Sequence, residues 1–171
     1  IDDLIGFVNG VRELLADDGI FVFEVSYLLD VYEKTFFDMT YHEHLSYHSV
    51  LPLKSFFESN YLQLIDAKRV GTHGGSLRGI VQKEGGLRET NDSIKDLIEL
   101  ELKFALNEPE TWLGFKERID KKGQDLMELL TDIKMKGNSI SGYGAPAKST
   151  TLMYQYGIDS ETLDYIVDDS P

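Results

Sequence analysis

The sequence predicts an α/β fold with two incomplete sheets. Three observations support this prediction. Near the N-terminus an amphipathic helix leads through a turn into a short apolar strand. Two strand-like segments then flank the glycine-rich stretch 71–75. Between residues 139 and 167 a strand, a helix and a second strand follow one another. Because these elements do not close one architecture, we expect a fragment of a longer protein.

The first helix and strand are predicted from the hydrophobic pattern. Apolar residues recur at helical spacing from Leu4 to Leu15, and residues 17–19 predict a turn. Residues 20–25 begin as a continuous apolar run, which is typical of a strand in a parallel sheet covered on both faces. The segment 26–49 holds many aromatic residues and three of the four histidines. It predicts a long functional loop that contains one helical turn.

A short helix and a pair of strands are predicted next. Pro52 lies near the first turn of a helix that is expected to reach Tyr61. Residues 62–70 and 76–82 have the alternating and β-branched character of strands. We expect them to form an antiparallel pair around the glycine-rich stretch.

Two helices are predicted after the composition changes at Gly85-Gly86. The first begins at Asn91 or Asp92 and is interrupted at 107–109, and the second extends to Gly137. Together they predict an antiparallel helical connector. The closing strand, helix and strand are predicted at residues 139–143, 148–156 and 163–167. The predicted organisation therefore has three parts, at 1–86, 87–137 and 138–171.

Composition and charge narrow the classes of partner. The chain has 171 residues, of which 42% are apolar, and a formal net charge of -13. This balance predicts a folded, soluble protein that repels phosphate backbones and anionic membranes. The absence of cysteine excludes disulfides and zinc–thiolate sites and leaves the redox compartment open. No apolar run approaches the roughly twenty residues of a membrane helix. We expect a cytoplasmic protein, and the sequence leaves its oligomeric state open.

The polar cluster Tyr41-His42-Glu43-His44 is the expected centre of the chemistry, and Tyr47 and His48 follow it. An imidazole titrates near neutrality, so it can take a proton from a carbon beside a carbonyl while a Glu or Tyr orients it. In an extended segment Tyr41 and Glu43 point the same way, whereas in a helical turn His44 and His48 share a face. The sequence alone leaves both arrangements open.

Two other interpretations of this cluster are a metal site and a structural loop. The histidines have the spacing of possible ligands, but no further carboxylate or thiolate at a familiar spacing completes a site. We therefore expect no metal. A loop whose polar aromatic residues pack and hydrogen-bond for purely structural reasons stays an alternative.

Two glycine-rich segments are further candidates for binding. In residues 71–78 the glycines can support a hairpin or bulge, or they can allow a ligand to approach the backbone beside His73, Ser76 and Arg78. Residues 142–150 lie between a predicted strand and helix, where N–H groups and the helix dipole favour anions. They lack the full spacing of a dinucleotide or P-loop motif. A purely structural βα turn is equally compatible with them.

Taken together and in this order, three segments resemble the S-adenosylmethionine-dependent sugar C-methyltransferases, which act on nucleotide-linked deoxysugars. The segments are residues 37–47, 72–78 and 142–148, which read FDMTYHEHLSY, THGGSLR and GYGAPAK. The resemblance implies an α/β fragment of a class I, Rossmann-like methyltransferase sheet with an antiparallel end. A helical connector and the first βαβ unit of a second Rossmann-like domain follow it, and residues 168–171 form the turn after that unit.

The resemblance also implies a reaction. In this family an enzyme base removes the C3 proton of a 4-keto sugar on a nucleoside diphosphate, and the enolate attacks the methyl group of S-adenosylmethionine. By matching position, His44 is the expected general base, with Tyr41 and Glu43 as its supporting groups. The expected substrate-binding residues are His73, Ser76, Arg78, Tyr143 and Lys148.

The chain lacks two features that are typical of the family it resembles. It has no cysteine for the family's zinc module and no glycine-rich loop of the methyl-donor site before its first strand. We therefore expect that the main S-adenosylmethionine loop is absent and that the isolated fragment is inactive. The alternatives are a noncatalytic nucleotide-sugar-binding module and a related methyltransferase that acts on a small non-sugar ketone or acyl substrate.

Overall fold

The computed structural model describes residues 1–169, and these residues group into two units. The first unit contains Ile1–Lys34 and Leu45–Thr111, and the second contains Thr35–His44 and the chain from Trp112 onward. The chain therefore leaves the first unit for ten residues and returns to it. The predicted boundaries at residues 86 and 137 stay a prediction.

A three-stranded antiparallel sheet organises the first unit. Its strands are β1 (Phe21–Ser26), β2 (Leu62–Val70) and β3 (Ser76–Lys83), with β3 in the centre. The antiparallel pairing of β2 with β3 confirms the prediction for these two segments. A register shift between Leu64 and Asp66 marks a bulge in β2, a feature that bends a strand locally.

The predicted pairing of the first strand is wrong. β1 forms where the apolar run lies, but it pairs antiparallel with β3 instead of in parallel. It is also not covered on both faces, because Val22 is 51% exposed. An apolar run indicates a strand without specifying its neighbour's direction, which depends on a segment 50 to 60 positions away along the chain.

Four helices belong to the first unit, and they confirm the predicted ones: α1 (Leu4–Leu14), α2 (Leu28–Lys34), α3 (Val50–Ser59) and α4 (Ser93–Lys103). α1 starts where the Asp3 carboxylate accepts the N–H of Gly6 at 2.8 Å, which satisfies one free donor of the first turn. In front of α4 the Asn91 side-chain oxygen accepts the N–H of Ser93 at 2.9 Å. α2 has seven residues, so it is longer than the single turn predicted in this segment.

The core of the first unit is apolar and densely buried. Its most buried apolar side chains come from β2, β3 and the starts of α2 and α3, and they are Tyr27, Leu29, Val50, Leu62, Leu64, Leu77 and Val81. Each leucine removed from water in this way contributes about 1.5–3 kcal/mol to folding. The core thereby fixes the sheet from which the glycine-rich turn 71–75 projects.

The second unit contains the predicted strand–helix–strand arrangement. α5 (Pro109–Met135) enters it at Trp112, and β4 (Ser141–Tyr143), α6 (Ala147–Tyr156) and β5 (Tyr165–Val167) follow. β4 and β5 are parallel, which confirms the βαβ unit. α6 ends at Tyr156, and the left-handed φ of 68° at Gly157 lets the Ile158 N–H reach the Met153 carbonyl at 3.0 Å. Of the turn expected at 168–171, Ser170 and Pro171 lie outside the described residues.

The described residues 1–169 include no helix whose length and apolar character would let it span a bilayer.

Candidate functional site

Tyr41, Glu43 and His44 lie in one tight turn of the second unit. The His44 N–H donates to the Tyr41 carbonyl at 3.0 Å, which closes the turn. The Tyr41 hydroxyl donates to Glu43 Oε2 at 3.3 Å. The imidazole of His44 meets the ring of Tyr41 edge to face, with 5.0 Å between the ring centroids and an angle of 84°. The three side chains proposed to act together are therefore neighbours in space.

This turn is neither the extended segment nor the helical turn that the sequence left open. A tight turn brings its first and fourth residues together, which explains why Tyr41 and His44 are in contact. His44 is half-buried, while His42 and Glu43 are exposed. The imidazole is thus held by a neighbouring ring but is not sealed inside an apolar core.

Helix α6 supports the segment that carries this turn. The Thr151 hydroxyl donates to the Thr40 carbonyl at 3.4 Å, and the rings of Phe37 and Tyr156 lie 5.2 Å apart. The pKa of Tyr156 is raised by burial first, and then by the nearby carboxylates of Asp38 and Asp120. Phe37 lies in the segment 26–49, whose many aromatic residues are evident in the sequence, but sequence reasoning missed Thr151 and Tyr156, because they lie over a hundred residues away along the chain.

Tyr156 also packs on α5 within the second unit. A Cβ atom added at Gly123 would lie 2.5 Å from Cδ1 of the Tyr156 ring, so this ring occupies the space that a side chain at 123 would need. A glycine inside a helix lowers its stability slightly. Here it permits the close approach of the ring that contacts Phe37.

His73 lies in the turn between β2 and β3, and Ser76 is the first residue of β3, in the first unit. His73 is exposed and has a left-handed backbone with φ 50° and ψ 30°. Ser76 is buried, and its hydroxyl donates to the Thr72 carbonyl at 3.1 Å. The N–H of Gly75 donates to the same carbonyl at 2.9 Å. The Ser76 hydroxyl therefore supports the turn that presents His73.

Arg78 is engaged by a carboxylate of the neighbouring strand. It lies opposite Glu24 in the sheet register, and its Nε and Nη2 donate to Glu24 Oε2 at 3.1 and 2.9 Å. Hydrogen bonds from Thr72 first, and then from Arg78, lower the pKa of Glu24. The Arg78 guanidinium and the Thr72 hydroxyl thus both donate to the Glu24 carboxylate.

Tyr143 and Lys148 flank the loop between β4 and α6. The Tyr143 hydroxyl donates to the Asp169 carboxylate, which raises the pKa of the phenol. Within this loop the Ala145 N–H donates to Asp168 Oδ2 at 2.5 Å, and the Gly144 N–H donates to a β5 carbonyl at 2.7 Å. These two donors already have partners. Lys148 is exposed in the first turn of α6.

Among residues 1–169, no cluster of three or more histidine, aspartate or glutamate side chains is placed to hold a metal ion.

Comparison with known proteins connects these residues to a family. A profile of the C-methyltransferase C-terminal domain matches residues 71–171, a range that includes His73, Ser76, Arg78, Tyr143 and Lys148. The C-methyltransferase NovU of Streptomyces niveus is 30% identical over 168 residues, which are 98% of this chain and 40% of that protein. The chain therefore spans about 40% of the length of this relative.

Proposed function

The chain belongs to the C-methyltransferase family, and from this premise we propose that its full-length protein methylates C3 of a 4-keto deoxysugar linked to a nucleoside diphosphate. The observation that carries the proposal is the turn in which His44, Tyr41 and Glu43 are neighbours. S-Adenosylmethionine is the proposed methyl donor. We propose that the reaction takes place in the cytoplasm.

His44 is the proposed general base. The ketone at C4 acidifies the C3–H bond, and a ring nitrogen of an imidazole can accept that proton. The Tyr41 ring restricts the orientation of the imidazole through its edge-to-face contact. Glu43 holds the Tyr41 hydroxyl, so the pair presents a fixed polar group beside the base.

The proposed reaction consists of deprotonation and then methylation at C3. The C3 proton moves to His44, and its bonding electrons form an enolate whose oxygen needs hydrogen-bond donors. The enolate carbon forms a bond to the donor's methyl group while the carbon–sulfur bond breaks. The proton stays on His44 until water removes it.

Five side chains are proposed to bind the sugar nucleotide. His73 is exposed at a turn, where its ring can donate to a hydroxyl of the sugar nucleotide. Ser76 and Arg78 lie in β3 directly after that turn and act through the hydroxyl and guanidinium described above. Tyr143 and Lys148 lie at the two ends of one loop, and the Lys148 ammonium suits a diphosphate.

We assign no residue of this chain to the methyl donor. The glycine-rich loops that could hold its ribose and carboxylate do not fit that role here. Their N–H groups at Gly75, Gly144 and Ala145 are bound to the Thr72 and Val167 carbonyls and the Asp168 carboxylate.

The proposal is tested by separating proton removal from methyl transfer. In D2O without the methyl donor, the full-length protein should exchange the C3 hydrogen of a 4-keto nucleotide sugar for deuterium. H44N should abolish both this exchange and methyl transfer, with a loss of at least about 100-fold, because it removes the base. Binding of the sugar nucleotide should change little.

The matched control is H42N, which removes an exposed imidazole two positions away in the same turn. It should retain exchange and turnover. Unchanged exchange in H44N would reject His44 as the base. Tight binding of the nucleotide sugar with no exchange in the wild type would favour a noncatalytic binding module instead.

A further inference from the structure

Asp30 is a buried acid that the proposed reaction does not use. It lies in α2 and is only 2% exposed. Its two carboxylate oxygens accept hydrogen bonds from Nε and Nη2 of Arg69 at 3.0 and 2.9 Å. Lys34 Nζ adds an ion pair at 2.7 Å. Such bidentate, charge-assisted contacts hold a carboxylate in one geometry.

The Asp30 side chain lies directly against the turn that presents His73. A Cβ atom added at Gly75 would be 2.3 Å from Asp30 Cγ, so the carboxylate fills the space left by this glycine. Lys34, which pairs with Asp30, also donates to the Gly74 carbonyl. The buried acid and its lysine therefore contact two consecutive residues of the turn.

The turn has a backbone that needs such support. His73, Gly74 and Gly75 have φ values of 50°, 87° and 151° in succession. Residues other than glycine rarely adopt the conformation of His73, and it persists only where the surrounding structure determines it. In this unit the surrounding groups include an ionised carboxylate, since burial would raise the pKa of Asp30 but the hydrogen bonds from Arg69 and Lys34 lower it overall.

We propose that Asp30 is a positioning residue, which together with its partner Lys34 holds the turn 71–75 and thereby His73 in the conformation that receives the sugar nucleotide. This inference rests on the proposed function for its kinetic consequence. Its structural part, the dependence of the turn on Asp30, can be measured without any turnover.

The test uses D30N in the full-length protein, because asparagine keeps the shape and one acceptor but removes the charge that holds Arg69 and Lys34. Hydrogen exchange followed by mass spectrometry should show at least about a fivefold faster exchange in peptides covering 72–76, with peptides from β2 unchanged. KM for the sugar nucleotide should rise by at least about fivefold with a much smaller change in kcat. The reason is that a displaced His73 would bind the substrate and the transition state equally less well.

The matched control is E33Q. Glu33 pairs with the same arginine and lies in the same helix, so this variant removes one charge from the network without removing the carboxylate against Gly75. It should leave both the exchange of 72–76 and KM near wild type. Equal effects of E33Q and D30N would overturn the proposal, as would wild-type exchange of the turn in D30N.

A second variant keeps the inference testable if D30N unfolds the unit. K34M removes the donor to the Gly74 carbonyl from a side chain that is 42% exposed, and it should accelerate exchange in 72–76 alone. Unchanged exchange there would overturn the proposal. Amide hydrogen exchange in 72–76 can accelerate in these variants while the wild type neither exchanges C3–H nor transfers methyl groups. In that case the proposed function fails and the structural dependence on Asp30 stands.

Discussion

The hydroxyl of Tyr27 donates to the carboxylate of Glu101 at 2.9 Å in the interior of the first unit. The same carboxylate accepts the backbone N–H groups of Val50 and Leu51 at 2.6 and 3.1 Å. These N–H groups belong to the first turn of α3, where no intrahelical acceptor exists. Ser49 precedes this turn without a side-chain capping bond. A glutamate of α4 therefore caps a helix that begins 51 residues earlier.

Replacing Glu101 with glutamine should destabilise the protein by about 2–3 kcal/mol, because an amide nitrogen would face buried donors that then lack an acceptor. The free energy of unfolding in urea measures this loss. The control E99Q lies two positions away on the same helix, where Glu99 pairs with Lys95 at 3.8 Å and is exposed. It should cost less than about 0.5 kcal/mol. Equal losses in the two variants would contradict the capping role.

Gly79 is a packing position in the central strand. A Cβ atom there would lie 2.3 Å from Cζ of Phe23, the residue opposite it in β1. G79A should therefore cost about 1–3 kcal/mol through overpacking. The smaller partner in the double variant F23L/G79A should recover part of this loss, which a double-mutant cycle detects. Additive losses would show that the ring is not the obstacle.

Gly114 supplies the control for G79A. A Cβ atom at Gly114 meets nothing within 4 Å, and the residue lies inside α5. G114A should stabilise the protein by about 0.5–1 kcal/mol, since alanine favours a helix more than glycine does. Both changes are read as shifts of the urea midpoint.

Stability should fall as the pH drops below neutrality because of His48. Burial lowers the pKa of this imidazole, so the folded state binds a proton less readily than the unfolded state, whose histidine titrates near about 6.5. The stabilisation is complete above that value and is lost as the pH falls through the lower folded pKa. Unfolding free energies between about pH 7 and pH 5 measure the slope, and H48Q should reduce it.

The backbone of His48 is unaffected by that substitution, so its carbonyl can still accept the Leu28 N–H. H42N removes an exposed imidazole and should keep the wild-type slope. A slope that H48Q leaves unchanged would assign the pH dependence to other groups.

Tyr41 should contribute to the reaction through both its ring and its hydroxyl. Y41F keeps the ring that contacts His44 but removes the hydrogen bond to Glu43. We expect a loss of about tenfold in the rate of C3 deuterium exchange and a larger loss for Y41A, because the ring also orients the base. Y154F alters an exposed tyrosine of α6 and should have no effect. A Y41F rate equal to wild type would remove the hydroxyl from the mechanism.

Most of the elements could be predicted from the sequence because their signals are local. α5 begins at Pro109, the last residue of the predicted interruption, where the fixed φ of proline suits a first helical position. The strand–helix–strand pattern after Asn138 is confirmed by the parallel pairing of β4 and β5. The pairing of β1 could not be predicted in this way. Its partner Val81 lies 60 positions from Phe21, and hydrophobic periodicity carries no information about such distances.

The same distinction applies to the candidate site. The residue types around His44 indicate proton transfer, but the turn that brings Tyr41 and His44 together depends on one backbone hydrogen bond that no periodicity reveals. The contacts of Arg78 with Glu24 and of Asp30 with Gly75 are likewise nonlocal. The chemistry of the cluster is thus a prediction from its residue types, whereas its supporting contacts could be described only from the fold.

Residues 35–44 belong to the second unit, and this affects the order in which the parts of the chain can fold during synthesis. Thr40 accepts its hydrogen bond from Thr151, 111 positions later, and Phe37 meets the ring of Tyr156. A ribosome that synthesises this chain releases the histidine-bearing segment long before it makes the helix on which that segment rests. During translation the sheet of the first unit can form early, whereas the segment carrying His44 gains these contacts only after more than a hundred further residues have been synthesised.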